Sequence, residues 1–103
     1  MQIQLLVIPN CSHEAAAAEL ITTAVAETGV RATITRTIIA SEDTARQHGF
    51  VGSPTILLNG SDPFAPPDAP IALACRLYPT PAGLQGVPGL GDLRQALKRA
   101  ATG

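Results

Sequence analysis

Cys11 stands at a junction between two runs that cannot belong to the same element. Before it lies Ile3-Gln4-Leu5-Leu6-Val7-Ile8-Pro9, apolar and short, and after it Ser12 to Thr28, rich in helix formers. A strand that hands over directly to a helix leaves a thiol at the strand mouth and the helix N-terminus. Unpaired backbone N–H groups and the helix dipole favour an anion at that point. The expectation is a lowered thiol pKa and a nucleophilic thiolate.

The rest of the chain punctuates cleanly. Residues 2–8 read as a buried strand ended by Pro9 and Asn10. Residues 12–28 read as a helix, with Ala17, Leu20, Ile21, Ala24 and Val25 on one face and Gly29 just past its end. Val30 to Ile39 is β-branched and alternates Val30, Ala32 and Ile34 with Arg31, Thr33 and Thr35, a second strand with one more polar face. Ser41-Glu42-Asp43 opens a short helix that Gly49 closes. Thr55 to Leu58 is a third strand and Asn59-Gly60 a turn. Residues 61–70 form an irregular proline-rich connection, Ile71 to Tyr78 a fourth strand, 79–89 a Pro/Gly loop, and Gly91 to Ala101 a final helix with Leu93, Leu97 and Ala100 inward.

Bulk properties bound the answer. With 103 residues there is room for one domain, residues 1–103, and one core. Phe50, Phe64 and Tyr78 are the only aromatics, so aliphatic and Ala side chains must fill that core. A net charge of −1 provides no basic footprint for nucleic acid. The N-terminal apolar run is too short to span a membrane and lacks a basic flank, which makes the cytoplasm the default compartment. Two cysteines in that compartment are expected to be reactive or ligand thiols.

The segment Gly49-Phe50-Val51-Gly52-Ser53-Pro54-Thr55-Ile56-Leu57-Leu58-Asn59-Gly60 resembles the cis-proline segment of the thioredoxin-like superfamily, in which a proline preceding Thr and an aliphatic strand faces the active-site cysteine. The Cys11-to-Pro54 spacing fits as well. The resemblance implies an α/β, thioredoxin-like fold of order βαβαββα, a four-stranded mixed sheet flanked by helices. It also implies a cis Ser53–Pro54 bond and a substrate-binding role for Ser53, Pro54 and Thr55, where an extended thiol-bearing substrate pairs with exposed backbone. The active-site tetrapeptide is Cys11-Ser12-His13-Glu14. Glu14 occupies the place of the second cysteine of Cys-x-x-Cys, so dithiol exchange within the motif is impossible. His13 matches the histidine of Cys-Pro-His-Cys, which assists the thiolate in thiol oxidases.

Cys75 supplies a second thiol. In the inferred topology the fourth strand returns to the active-site end and carries Cys75 in its C-terminal half. Three readings follow. In the first, Cys11 performs thiol–disulfide or monothiol redox chemistry on a thiol-bearing substrate or small molecule, with Cys75 or glutathione resolving and no resident cofactor. In the second, the Cys-x-x-acid plus distant Cys resembles alkylmercury (organomercurial) lyases, which implies Cys11 and Cys75 as ligands of a soft metal and Glu14 as the proton donor. In the third, the chain is a non-catalytic binding module that uses the loops at 61–70 and 79–89. Simpler readings stand beside these: Cys11 as an inert small hydrophobe, Glu14 as a first-turn carboxylate, His13 as an exposed helix residue, His48 as a helix C-terminal cation, and Cys75 as a buried strand cysteine.

Overall fold

The N-terminal apolar run becomes the central strand of a small mixed sheet. The computed structural model describes residues 1–102. Its elements in chain order are β1 (Gln2–Val7), α1 (Glu14–Thr28), β2 (Thr33–Ile38), α2 (Glu42–His48), β3 (Thr55–Leu58), β4 (Tyr78–Thr80), β5 (Gly83–Gln85) and α3 (Leu90–Thr102). The main sheet has the order β2-β1-β3. β1 runs parallel to β2, with Ile3 opposite Ile34 and Val7 opposite Ile38. It runs antiparallel to β3, with Ile3 opposite Leu58 and Leu6 opposite Thr55.

Alternation along β1 divides the core in two, because successive side chains leave opposite faces of a strand. Ile3, Leu5 and Val7 point to one face, where Ala17, Ile21 and Ala24 of α1 and Leu93, Ala96 and Leu97 of α3 close over them. Leu6 points to the other, against Ile39, Ala45 of α2, Phe50 and Leu57. Each fully buried aliphatic side chain contributes about 1.5–3 kcal/mol relative to exposure. Alanine lines the sheet-facing stripe of α1, which lets that helix lie close to the strands at no cost in helix propensity. α1 ends at Gly29, in the left-handed conformation with φ 69°, whose N–H donates to the Val25 carbonyl. α2 begins as expected at Ser41, whose hydroxyl accepts from the Thr44 N–H.

The expected four-stranded mixed sheet is not formed. The main sheet has three strands, and a separate two-stranded hairpin, β4–β5, takes the place of the fourth. The run Ile71–Tyr78 is not a strand of the main sheet: it touches the segment ahead of β3 through one isolated parallel bridge, Ser53 to Cys75. Two local facts explain this. Asn59 and Gly60, with φ of 51° and 86°, turn the chain sharply, so Leu58 pairs with Ser61 rather than with a distant strand. Downstream, Thr80-Pro81-Ala82-Gly83 makes its own tight turn: the Thr80 hydroxyl donates to the Gly83 carbonyl at 2.7 Å and accepts from the Ala82 N–H at 3.2 Å. The expected loop at 79–89 therefore contains a hairpin. The second strand is also shorter than Val30–Ile39, and as an edge strand it leaves Ile34 exposed.

Gly52 is required where it stands. Its φ is +134°, and a Cβ there would lie 2.7 Å from Cβ of Arg76. Gly52→Ala should lower unfolding stability by about 1–3 kcal/mol, the usual cost of a residue held in a disfavoured backbone region. Urea denaturation of the two proteins measures it.

Candidate functional site

The antiparallel register of β1 and β3 brings the end of one strand beside the beginning of the other. Leu6 faces Thr55, and just beyond the ladder the Ile8 N–H donates to Ser53 Oγ at 3.0 Å. From Ile8 the chain turns through Pro9 and Asn10, the latter left-handed with φ 59°, a conformation Asn tolerates better than most residues. Cys11 follows, half-buried as a free thiol and packed on the α1 side of the core. The expected helix start at Ser12 is corrected to Glu14. Cys11 instead sits in a preceding turn, its carbonyl accepting the Glu14 N–H at 3.3 Å.

His13 is the N-cap residue of α1, but its side chain makes no capping hydrogen bond. Its ring is covered by Gly86, where a Cβ would lie 2.5 Å from three ring atoms. It is a half-buried wall residue held by the segment after β5, not a free helix side chain.

Glu14 accepts two hydrogen bonds from Arg36 of β2, from Nε and from Nη2, the second at 2.9 Å. Such a two-pronged contact is the geometry in which Arg holds a carboxylate best. The hydrogen bonds from Arg36, ahead of its charge, hold the Glu14 carboxyl below the ordinary glutamate value, while partial burial works the other way. Glu14 is thus kept ionised, the opposite of what a proton donor needs.

The Ser53–Pro54 peptide bond is cis. Ser53, Pro54 and Thr55 are all buried. The Thr55 hydroxyl donates to the Gly52 carbonyl at 2.6 Å, and the Pro54 carbonyl accepts from the Tyr78 hydroxyl. The backbone of Ser53 is occupied from both sides: its N–H donates to the Ala74 carbonyl at 2.8 Å, and its carbonyl accepts the Arg76 N–H at 2.9 Å. Cys75 lies between those partners. It is an exposed loop cysteine, not a buried strand cysteine, and is free.

The residues that organise this region were not singled out in the sequence. Arg76 is 8% exposed and meets Asp62 through Nη1 at 2.6 Å and Nη2 at 3.4 Å. Its Nη1 also donates to Thr55 Oγ1 at 3.2 Å, and its guanidinium lies 4.4 Å from the centre of the Tyr78 ring. Phe64 meets that ring edge-on at 5.8 Å. Among the described residues, no buried side-chain polar atom lacks a partner. The available signal was a lone Arg in an apolar run, shortly after an Asp in a proline-rich loop. Arg36 was not singled out either, since it falls in phase with Val30, Ala32 and Ile34, the less polar face of the expected strand.

An apolar cavity of about 250 Å³ lies behind this cluster, walled by Phe64, Pro66, Pro70 and Tyr78. Another, of about 310 Å³, lies around Met1, Arg31 and Ala100, at the end of β1 opposite Cys11, and has no part in the Cys11 chemistry. Among the described residues, no three of Cys, His, Asp and Glu are gathered to hold a metal ion, so Cys11, Cys75 and Glu14 do not form such a set. Likewise, no described helix is long and apolar enough to cross a membrane. No protein-family model, no curated protein and no solved structure matches the chain.

Removing one partner of a buried ion pair leaves the other charge unanswered, at about 3–5 kcal/mol. Asp62→Ala should lose that much, and Arg76→Met combined with Asp62→Leu should lose clearly less, as read by chemical denaturation. Burial pushes the Tyr78 phenol well above its ordinary value of 10.0, despite the opposing charge of Arg76. The folded state therefore holds this proton more tightly than the unfolded chain. The resulting stability is complete below the ordinary phenol range and is lost as pH rises beyond it, through the raised value of the folded state. Tyr78 is the only tyrosine and there is no tryptophan, so near-ultraviolet tyrosinate absorbance reads it alone. Absorbance should appear together with loss of helical circular dichroism, and tyrosinate in a still-folded chain would contradict the burial.

Proposed function

We propose that the protein performs thiol–disulfide or monothiol exchange at Cys11. The reading is supported by a free, half-buried thiol at the turn between β1 and α1, a few residues beyond Ile8, whose N–H donates to Ser53 of a cis-proline segment that resembles that of thioredoxin-like proteins. The observation that carries it over its rivals is the Glu14–Arg36 pair. An unpaired carboxylate three residues from a thiolate would oppose it by like-charge repulsion, and Arg36 offsets that charge. The same pair withdraws Glu14 as a proton donor, which weighs against carbon–mercury protonolysis. His13 serves as a wall of the site. Cys75 or an external thiol such as glutathione resolves the mixed disulfide.

Alkylation separates activation from mere exposure. Cys75 is the more exposed cysteine, so accessibility alone predicts that it is labelled first. We expect a thiol-specific alkylator near neutral pH to modify Cys11 ahead of Cys75, as read by peptide mass spectrometry. Arg36→Gln should slow the Cys11 reaction and Glu14→Gln should not. A Cys11 that stays unlabelled while Cys75 reacts would end this proposal.

A further inference from the structure

The main sheet is covered at one edge and open at the other. β3 is short and buried along its whole length, and Leu58 already pairs with Ser61 beyond it. β2 is the opposite outer strand, and Thr33, Ile34, Thr35, Arg36 and Ile38 are all exposed. The direction of its backbone groups is fixed at both ends. The Thr33 N–H donates to the Met1 carbonyl at 2.9 Å, and the Ile39 N–H to the Val7 carbonyl at 2.7 Å. Between them the ladder runs residue for residue, without a bulge, from Gln2–Thr33 to Val7–Ile38. Backbone groups along a strand alternate sides. Thr33, Thr35, Thr37 and Ile39 therefore turn theirs to β1, while Ile34, Arg36 and Ile38 turn N–H and C=O outward.

Such an edge is usually blunted by lysine, proline, a bulge or a covering segment. The run Thr-Ile-Thr-Arg-Thr-Ile has no lysine or proline. Its one charge, Arg36, is answered within the chain by Glu14. Ile34 and Ile38 stand 46% and 38% exposed beside the free backbone groups. Because β3 offers no second open edge, copies cannot add to one another head to tail through the main sheet. The contact left is between two identical edges about a two-fold axis, which closes at a dimer.

We infer that β2 pairs antiparallel with β2 of a second copy, with the axis at Thr35, and so joins the two main sheets into one. The residue order selects this register. An axis at Arg36 would set two arginines directly opposite each other, an unfavourable like-charge pair. An axis at Thr37 would set Thr35 against Ile39, whose side chain is committed to its own core. With the axis at Thr35, Ile34 exchanges both backbone hydrogen bonds with the partner's Arg36, and the aliphatic stem of that arginine covers Ile34. On the other face Thr35 meets the partner's Thr35 and Thr33 meets the partner's Thr37, pairs whose hydroxyls hydrogen-bond across strands. The edge is complementary to itself, and the pairing is independent of the thiol chemistry.

Sedimentation velocity over a dilution series of the intact protein reads the assembly. The expected result is a reversible monomer–dimer equilibrium, half-dissociated at roughly micromolar concentration, as suits an interface at the small end of the specific range. Hydrogen exchange should show the Ile34 and Arg36 amides gaining protection as concentration rises, while the Thr35 and Thr37 amides, already turned to β1, stay unchanged. Thr35→Lys sets like charges across the axis and should weaken the dimer roughly tenfold or more. Thr35→Glu should do the same, and mixing the two variants should restore pairing as a heterodimer. Position 35 is exposed in the single copy, so circular dichroism should show both variants folded. A mass that stays monomeric to roughly millimolar concentration would overturn the inference. So would a dimer that leaves the Ile34 and Arg36 amides unprotected, or a Thr35→Lys protein that pairs as tightly as the original.

Discussion

Arg76 carries a full positive charge to a place that water scarcely reaches, and the path of the chain from Asn59 to Tyr78 depends on how that charge is answered. Taking the guanidinium out of water is costly, and the cost is offset only because Asp62, the Thr55 hydroxyl and the Tyr78 ring converge on it. A long proline-containing connection has few backbone hydrogen bonds of its own. Its position is therefore set by this charged, hydrogen-bonded cluster rather than by a ladder of strand pairs. Once Arg76 is fixed, the residues before it fall along the backbone ahead of β3, and Tyr78 reaches the carbonyl of Pro54.

The candidate site takes its character from that placement. Cys11 belongs to a rigid framework, because β1 is paired on both sides and α1 is packed against it. Elsewhere in the region, the residues anchored by Arg76 lie along the cis-proline segment, and the stretch after β5 lies on His13. Charges near the thiol are balanced across elements, with Glu14 at the start of α1 answered by Arg36 in the middle of β2. That pair is partly exposed, so solvent screens much of its energy. Its importance lies in the sign of the local charge.

Much of the framework was legible along the chain. The apolar run through Val7, the alanine-rich helix ending at Gly29, the Ser41 cap and the strand from Thr55 to Leu58 all carry local signals, since each depends on residues within one or two turns of one another. The fourth strand was misread for the same reason. Ile71 to Tyr78 is apolar and β-tolerant in isolation, and nothing local announces that Arg76 will turn inward to Asp62. The hairpin at β4–β5 escaped notice because its strands are only three residues each, too short for alternation to register. In the site, Cys11 and Pro54 were visible through their flanking elements, whereas Arg36, Asp62, Arg76 and Tyr78 act through partners 14 to 24 positions away.

Local sequence by itself determined that α1 ends at Gly29 and α2 begins at Ser41, that the N-terminal apolar run is a buried strand, and that a cysteine lies between a strand and a helix. These follow from propensity, capping and side-chain periodicity, which operate over a few residues. Only the tertiary structure decided that Glu14 is an ion-pair partner rather than an acid, that Cys75 lies outside any strand of the main sheet, and that the backbone of Ser53 is already engaged. Each of these outcomes depends on which charges and hydrogen-bonding groups meet across the fold. Burial makes such meetings obligatory, because a polar group removed from water must find its partner wherever in the chain that partner lies.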